Sequence, residues 1–219
     1  MFKLRNLDVG YPQNLLISRA NITFEKSKIY SIIGDNGTGK STLMKTLNGF
    51  HNPLDGSLYF EEKNIKSLNF QTRAEIFSTL FSRHEIDTFI KVSEIFEFSI
   101  SFNSKISLKD DLSQKIIKEL GVSHLLDHSF SELSDGQKQL VLIARTFLKR
   151  TKIIFLDEPT IYLDIKTKNI FSEFLKKYAQ EYEALVVLIS HDMSFIKEVS
   201  SFIYEITDGT LKLATDIIK

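Results

Sequence analysis

At 219 residues the chain is long enough for one sizeable α/β domain, and 42% hydrophobic against 26% charged residues supply a packed core and exclude a disordered chain. Lys+Arg and Asp+Glu stand at 28 each, so no basic field marks a nucleic-acid binder and no charge block reads as a binding tail. The lack of cysteine excludes disulfides, thiol catalysis and cysteine-based metal sites; no apolar run reaches the ~18 residues of a membrane span, and MFKLRNLDVGY lacks a signal peptide's apolar core.

Residues 2–9 alternate apolar and polar side chains, which predicts a half-buried strand, and 15–17 and 20–24 predict two further short strands. Residues 29–33, IYSII, form a β-branched run ending at a glycine, as a buried parallel strand does. The octapeptide at 34–41, GDNGTGKS, fits the phosphate-loop pattern G-x-x-x-x-G-K-[ST]. Its glycines let the backbone turn tightly, so that consecutive N–H groups point at an anion. Lys40 is placed to reach β- and γ-phosphates, and the Ser41 hydroxyl to ligate Mg²⁺. Leu43, Met44 and Leu47 at helical spacing predict a helix that stops near Gly49, with its positive end on the phosphates.

Asp55-Gly56 reads as a turn before a strand at 57–60. Roughly residues 70–150 read as helical. Val92, Ile95, Phe96 and Ile100 make one apolar stripe, and Leu112, Ile116, Ile117 and Leu120 a second that ends at Gly121. Ser134 is a natural N-cap, and Gly136 leaves backbone exposed, so another helix start suits an anion there. Residues 153–156, IIFL, predict a buried strand that delivers Asp157 and Glu158 at its carboxyl end, where ligands bind in open α/β sheets. Asp157 suits Mg²⁺, directly or through water, and Glu158 suits polarising an attacking water. A helix at 167–182, a strand at 185–189, a helix near Phe195 and a hairpin at Asp208-Gly209 follow. The alternation predicts an α/β fold, a mostly parallel sheet wrapped by helices.

GDNGTGKST, LSDGQKQ, IIFLDEPT, Ile161-Tyr162-Leu163-Asp164 and the His191 of LISHD stand in the order found in the ATP-binding subunit of ABC transporters, which the chain resembles over nearly its whole length. The resemblance implies a P-loop NTPase core with a mainly parallel sheet and an N-terminal antiparallel β subdomain, at about 1–75 and 151–219. It also implies an inserted α-helical subdomain, at about 76–150, that carries LSDGQ. It implies hydrolysis of ATP with Mg²⁺, with Lys40, Glu158 and His191 as the catalytic set. Nucleotide contacts fall to Gly34, Asn36, Gly37, Thr38, Gly39, Lys40, Ser41 and Thr42, with Tyr11 stacking on adenine; Ser41 and Asp157 take the metal. Ser134, Gly136 and Gln137 would bind the γ-phosphate of ATP held by a second, identical subunit, and Asp164 would couple the two sites. The implied partners are that second ATPase subunit, integral membrane permease subunits and an external substrate-binding protein, with no nucleic acid. The implied location is the cytoplasmic face of the membrane, as a peripheral subunit.

DEPTIYLDI resembles the importer class for iron–siderophores, haem and cobalamin. An exporter ATPase and a soluble ABC ATPase are the competing expectations, though a single short cassette without a coiled-coil insertion argues against the DNA-repair class. Two departures stand out. The family's strand-end Gln falls near Ser82-Arg83, where no Gln stands, and Ser82, His84 and Glu85 are the replacements at hand. Asp135 replaces the commoner Gly, and its carboxylate must point outward to avoid repelling a triphosphate. Phe77, Phe81, Phe89, Phe96, Phe98 and Phe102 crowd a stretch that in the family accepts a short permease helix; Phe96 is expected in the core, with one or two of the others at the surface.

Overall fold

The computed structural model describes residues 1–82, 89–103 and 105–214. Their strands are β1 (Phe2–Tyr11), β2 (Asn14–Phe24), β3 (Ile29–Ile33), β4 (Asp55–Phe60), β5 (Lys63–Asn64), β6 (Phe77–Leu80), β7 (Ile153–Asp157), β8 (Leu185–Ile189), β9 (Phe202–Thr207) and β10 (Thr210–Leu213). Their α-helices are α1 (Lys40–Leu47), α2 (Phe70–Ile76), α3 (Val92–Ile100), α4 (Asp111–Glu119), α5 (Asp135–Leu148), α6 (Ile165–Glu181) and α7 (Met193–Val199).

Strand composition sorts the two sheets. β3, β7 and β8 are buried at every position, as continuous apolar runs covered on both faces must be. They lie inside a six-stranded sheet of order β10-β9-β3-β8-β7-β6, parallel except for the β9–β10 hairpin. β1 alternates instead, and sits in an antiparallel sheet of order β2-β1-β4-β5. Successive residues of β7 serve opposite cores. Ile154 and Leu156 face a core formed with the helices from α3 to α7, while Ile153 and Phe155 face a core formed with α1 and the antiparallel sheet. Phe155 meets Phe77 and Phe2 there, at ring separations of 5.7 and 6.4 Å.

Three sequence expectations change. The two short strands expected at 15–17 and 20–24 are one strand, β2, because irregular register against β1 and a left-handed Arg19 (φ 45°) carry the pairing through. Asp55-Gly56 lies within β4 rather than in a turn before it. Gly56 (φ 80°) presses so close to β1 that a Cβ there would stand 2.2 Å from the Asn6 carbonyl oxygen. Residues 77–80, inside the stretch expected to be helical, are β6, parallel to β7. A four-residue strand is too short to display a period. The helices at 92–100 and 111–119 follow their apolar stripes, Gly121 (φ 70°) ends the second, and the helix at 135–148 starts after Ser134 as its N-cap. Among the described residues no helix is long and apolar enough to cross a membrane.

Because β3, β8, β7 and β6 are parallel neighbours, their carboxyl ends open on one edge. The segments that follow them, beginning at Gly34, Ser190, Glu158 and Phe81, therefore gather there.

Candidate functional site

The loop from β3 into α1 is shaped by residues no side chain could easily replace. Gly39, the residue before α1, adopts φ 102°, and a Cβ on it would stand 3.0 Å from the Leu16 side chain. α1 has no side-chain cap and no acid in its first turn, so its first N–H groups and its positive end stay directed at the loop. Thr38 Oγ1 donates to the Asp35 carbonyl (2.9 Å) and braces the turn. The Lys40 ammonium folds over the loop and donates to the Gly34 and Asp35 carbonyls at 2.6 and 2.7 Å. Burial holds its pKa below the usual ammonium range, against the pull of Glu158, Asp35 and Asp157.

Across a cavity of about 300 Å³ from this loop stand the acids of β7. Asp157 ends the strand, 6% exposed. Burial pushes its carboxyl pKa up, opposed by hydrogen bonds from the Ser82 hydroxyl and N–H and by the charges of Lys40 and Lys45. Glu158 follows in the left-handed region (φ 49°), with its N–H donating to the Ile189 carbonyl of β8 (2.8 Å). That turn aims its carboxylate at the end of β8. Oε2 accepts from Ser190 Oγ and the His191 N–H, each at 3.2 Å, and His191 Nε2 lies 3.6 Å from Oε1. Oε1 is buried and accepts no hydrogen bond, an uncommitted acceptor beside the cavity.

Asn36, Gly37, Gly39, Lys40, Ser41 and Thr42 line this cavity, and Ser82, Asp157, Glu158 and His191 line it too. Gly34 and Thr38 belong to the loop through the contacts above. The donor set fits Mg²⁺. A buried carboxylate (Asp157) and a hydroxyl (Ser41) open on one space, and Mg²⁺ prefers one or two protein oxygens plus phosphates to a protein cage. Among the described residues no cluster of three His, Cys, Asp or Glu side chains competes as a metal site.

The remaining expected residues lie elsewhere. Ser134 caps α5, accepting from the Gln137 N–H at 3.3 Å, while Gln137 Oε1 accepts from the Ser134 N–H at 2.9 Å. Ser134 is exposed, and Gly136 packs so tightly on the next loop that a Cβ would stand 2.9 Å from the Tyr162 carbonyl oxygen. Asp135 points outward, its side chain 73% exposed and 3.9 Å from Lys138. Asp164 caps α6 through the Thr167 N–H (2.7 Å). Tyr11 is half exposed, its ring 5.1 Å from that of His51, whose Nε2 is 2.8 Å from the Gly10 carbonyl oxygen.

His84 and Glu85 lie outside the described residues. Three contributors escape sequence reasoning. Ser190 holds Glu158, and its only sequence signal is its place beside His191. Leu16 packs on Gly39 from another sheet. His51 underlies Tyr11 from forty residues away. Of the six phenylalanines, Phe96 and Phe77 are buried, while Phe89, Phe98 and Phe102 are exposed, one more than the upper expectation. Phe98 and Phe102 line an open groove of about 650 Å³ together with Arg145 and Lys149.

A family model described as ABC transporter matches residues 17–161. The chain is 30% identical over 220 residues to the lipoprotein-releasing system ATP-binding protein LolD of Wigglesworthia glossinidia brevipalpis, with 96% of each chain covered. It is 27% identical to the spermidine/putrescine import ATP-binding protein PotA of Mycoplasma capricolum subsp. capricolum, covering 97% of this chain and 60% of PotA. Its fold is similar to that of the ATP-binding cassette MJ0796 in a dimeric post-hydrolysis state bound to ADP and Pi, with a TM-score of 0.85, 24% identity and 96% of both chains covered.

Proposed function

The chain belongs to the ABC transporter family of ATP-binding proteins, a family that hydrolyses ATP, and on that premise we propose that the cavity between the phosphate loop and the acids of β7 is its ATPase site. One observation carries the reading. Lys40, Ser41, Asp157, Glu158 and His191 come from three separate strand ends, yet line one cavity of about 300 Å³. The loop N–H groups and the α1 terminus hold the β- and γ-phosphates, with the Lys40 ammonium laid across them. Ser41 and Asp157 would hold Mg²⁺, which would supply positive charge against the developing negative charge of the phosphates. Glu158 orients a water for in-line attack on the γ-phosphorus and accepts its proton, and His191 touches the γ-phosphate beside it. The P–O bond to the β-phosphate breaks, leaving ADP and phosphate. Tyr11 supplies an aromatic face for adenine.

Ser134, Gly136 and Gln137 are exposed or half-exposed, and are proposed to complete the same site on a second copy, with Asp164 near that contact. The proposed membrane partner is a permease, which would place the chain at the cytoplasmic face. Support comes from the groove of Phe98 and Phe102. Its cations Arg145 and Lys149 have no ionic partner among the described residues, and burial lowers the pKa of both, so a short amphipathic permease helix bearing a carboxylate complements it. For cargo, DEPTIYLDI favours a metal-chelate importer with an external binding protein, whereas the relatives above are named for lipoprotein release and polyamine import; the chelate reading rests on that string alone.

The test is Mg²⁺-dependent phosphate release by the purified chain alongside Lys40→Ala. ATP affinity of the variant should fall by ~100-fold or more, since a charge-assisted phosphate contact in a low-dielectric loop is lost. Parental binding and turnover in Lys40→Ala would remove the cavity as the site.

A further inference from the structure

α5 begins at the LSDGQ turn, yet a side chain one turn further along reaches a different part of the molecule. Gln139 is 7% exposed, and its amide donates to the Pro159 carbonyl at 2.9 Å and reaches that of Glu158 at 3.5 Å. Both carbonyls belong to the loop that follows β7. That loop is left-handed at Glu158 (φ 49°) and again at Tyr162 (φ 68°), conformations that side-chain-bearing residues rarely adopt. Such a backbone persists where its surroundings over-determine it. Here the Glu158 N–H is held by the Ile189 carbonyl, the Glu158 carbonyl by the Ile161 N–H (3.3 Å) and by Gln139, the Pro159 carbonyl by Gln139, and the Tyr162 carbonyl lies against Gly136. Gln139 and Gly136 both belong to α5.

We infer that Gln139 is a positioning residue for hydrolysis: its buried amide locks the Glu158 backbone in the left-handed turn that aims the carboxylate at Ser190, His191 and the phosphate cavity. The inference rests on the reading of Glu158 as the water-activating group. It goes beyond that reading by tying the group to the helix whose first turn carries Ser134. An anion drawn to that first turn acts on a helix already fastened to the Glu158 backbone. A leucine at 139 fills a similar space but donates nothing, so the buried Pro159 carbonyl loses its donor, the Glu158 carbonyl keeps only the Ile161 N–H (3.3 Å), and the turn relaxes. Turnover suffers and nucleotide affinity does not, because affinity resides in the loop after β3.

The experiment compares the purified parent, Gln139→Leu, Glu158→Gln and the double variant, measuring hydrolysis and ATP dissociation constants separately. Gln139→Leu should lower kcat by ~10–100-fold, the scale of a small misplacement of a reacting group, with ATP affinity changed by less than about threefold. In the Glu158→Gln background the same change should lower the residual rate less than about twofold, since the group it positions is gone. Gln139→Asn retains the amide but withdraws it by one methylene, and covers the case in which the leucine variant does not fold; it should show the same split at ~3–10-fold. Parental kcat in Gln139→Leu or Gln139→Asn, equal falls in kcat and affinity, or an undiminished effect in the double variant would overturn the inference. An active Glu158→Gln would overturn the reading of Glu158 as well, whereas an inert Gln139 beside a dead Glu158→Gln would overturn the inference alone.

Discussion

Two helix starts in this chain suit an anion, and they are built in opposite ways. α1 opens on a left-handed glycine, with no side-chain cap and no acid in its first turn, and lays Lys40 over the loop. α5 opens on a capping box in which Ser134 and Gln137 satisfy each other's N–H groups, and it carries Asp135 in its first turn. The first spends none of its donors on itself and borrows charge from its own chain. The second is already stable without a ligand, and its acid opposes one. On the proposed reading, the difference teaches that α1 would supply standing affinity, whereas α5 would supply a conditional contact that forms only against something that brings phosphate and metal with it.

The comparison breaks most visibly at Glu158. Glu158→Gln leaves the α1 half intact and should keep ATP affinity within about threefold while kcat falls ~10²–10³-fold, the scale of a lost general base. Next comes Ser134→Arg, which fills the α5 turn with a bulky side chain. Nucleotide binding by the isolated chain should stay parental while hydrolysis loses its steep dependence on protein concentration, falling about tenfold at micromolar protein. An unchanged rate in that variant would mean the α5 turn faces nothing. Tyr11→Ala should weaken ATP binding by ~2–10-fold, with a matching loss for adenosine but not for tripolyphosphate, as expected of ring stacking alone.

The smallest effect concerns the segment after β8. Burial alone would raise the Asp192 pKa, but donors from Lys168, Ser194 and the Phe195 N–H outweigh it and bring it to about 2. Lys168 lies 2.5 Å away. A depressed carboxylate pKa stabilises the fold above its unfolded value near ~4, and that contribution fades as pH falls toward about 2. Asp192→Asn should therefore cost roughly 1–2 kcal/mol at pH 7 and nothing below pH ~2, read from urea unfolding across that range. A loss independent of pH would assign Asp192 only its capping bond to Phe195.

The α1 half was legible in the sequence because it is local. Glycines, lysine and hydroxyl sit within eight residues, and their spacing dictates the turn. Ser134 was legible for the same reason, as a cap three residues from its partner. What joins the two halves was not. Gln139 reaches Glu158 across nineteen positions, Leu16 reaches Gly39 from the other sheet, and His51 reaches Tyr11 from beyond α1. These contacts exist only once separate elements are brought together by the fold, and no period within a single element encodes them. β6 was hidden by brevity, and the continuity of β2 and the start of β4 by irregular register and turn-like residues that here serve a strand.

The sharpest test is the sedimentation mass of Glu158→Gln with and without ATP·Mg²⁺, with Ser134→Arg in the same background as control. The mass should double only when ATP·Mg²⁺ is present and only with Ser134 intact. A chain that binds ATP tightly through Lys40 yet sediments as a single copy at every concentration would contradict the shared clamp.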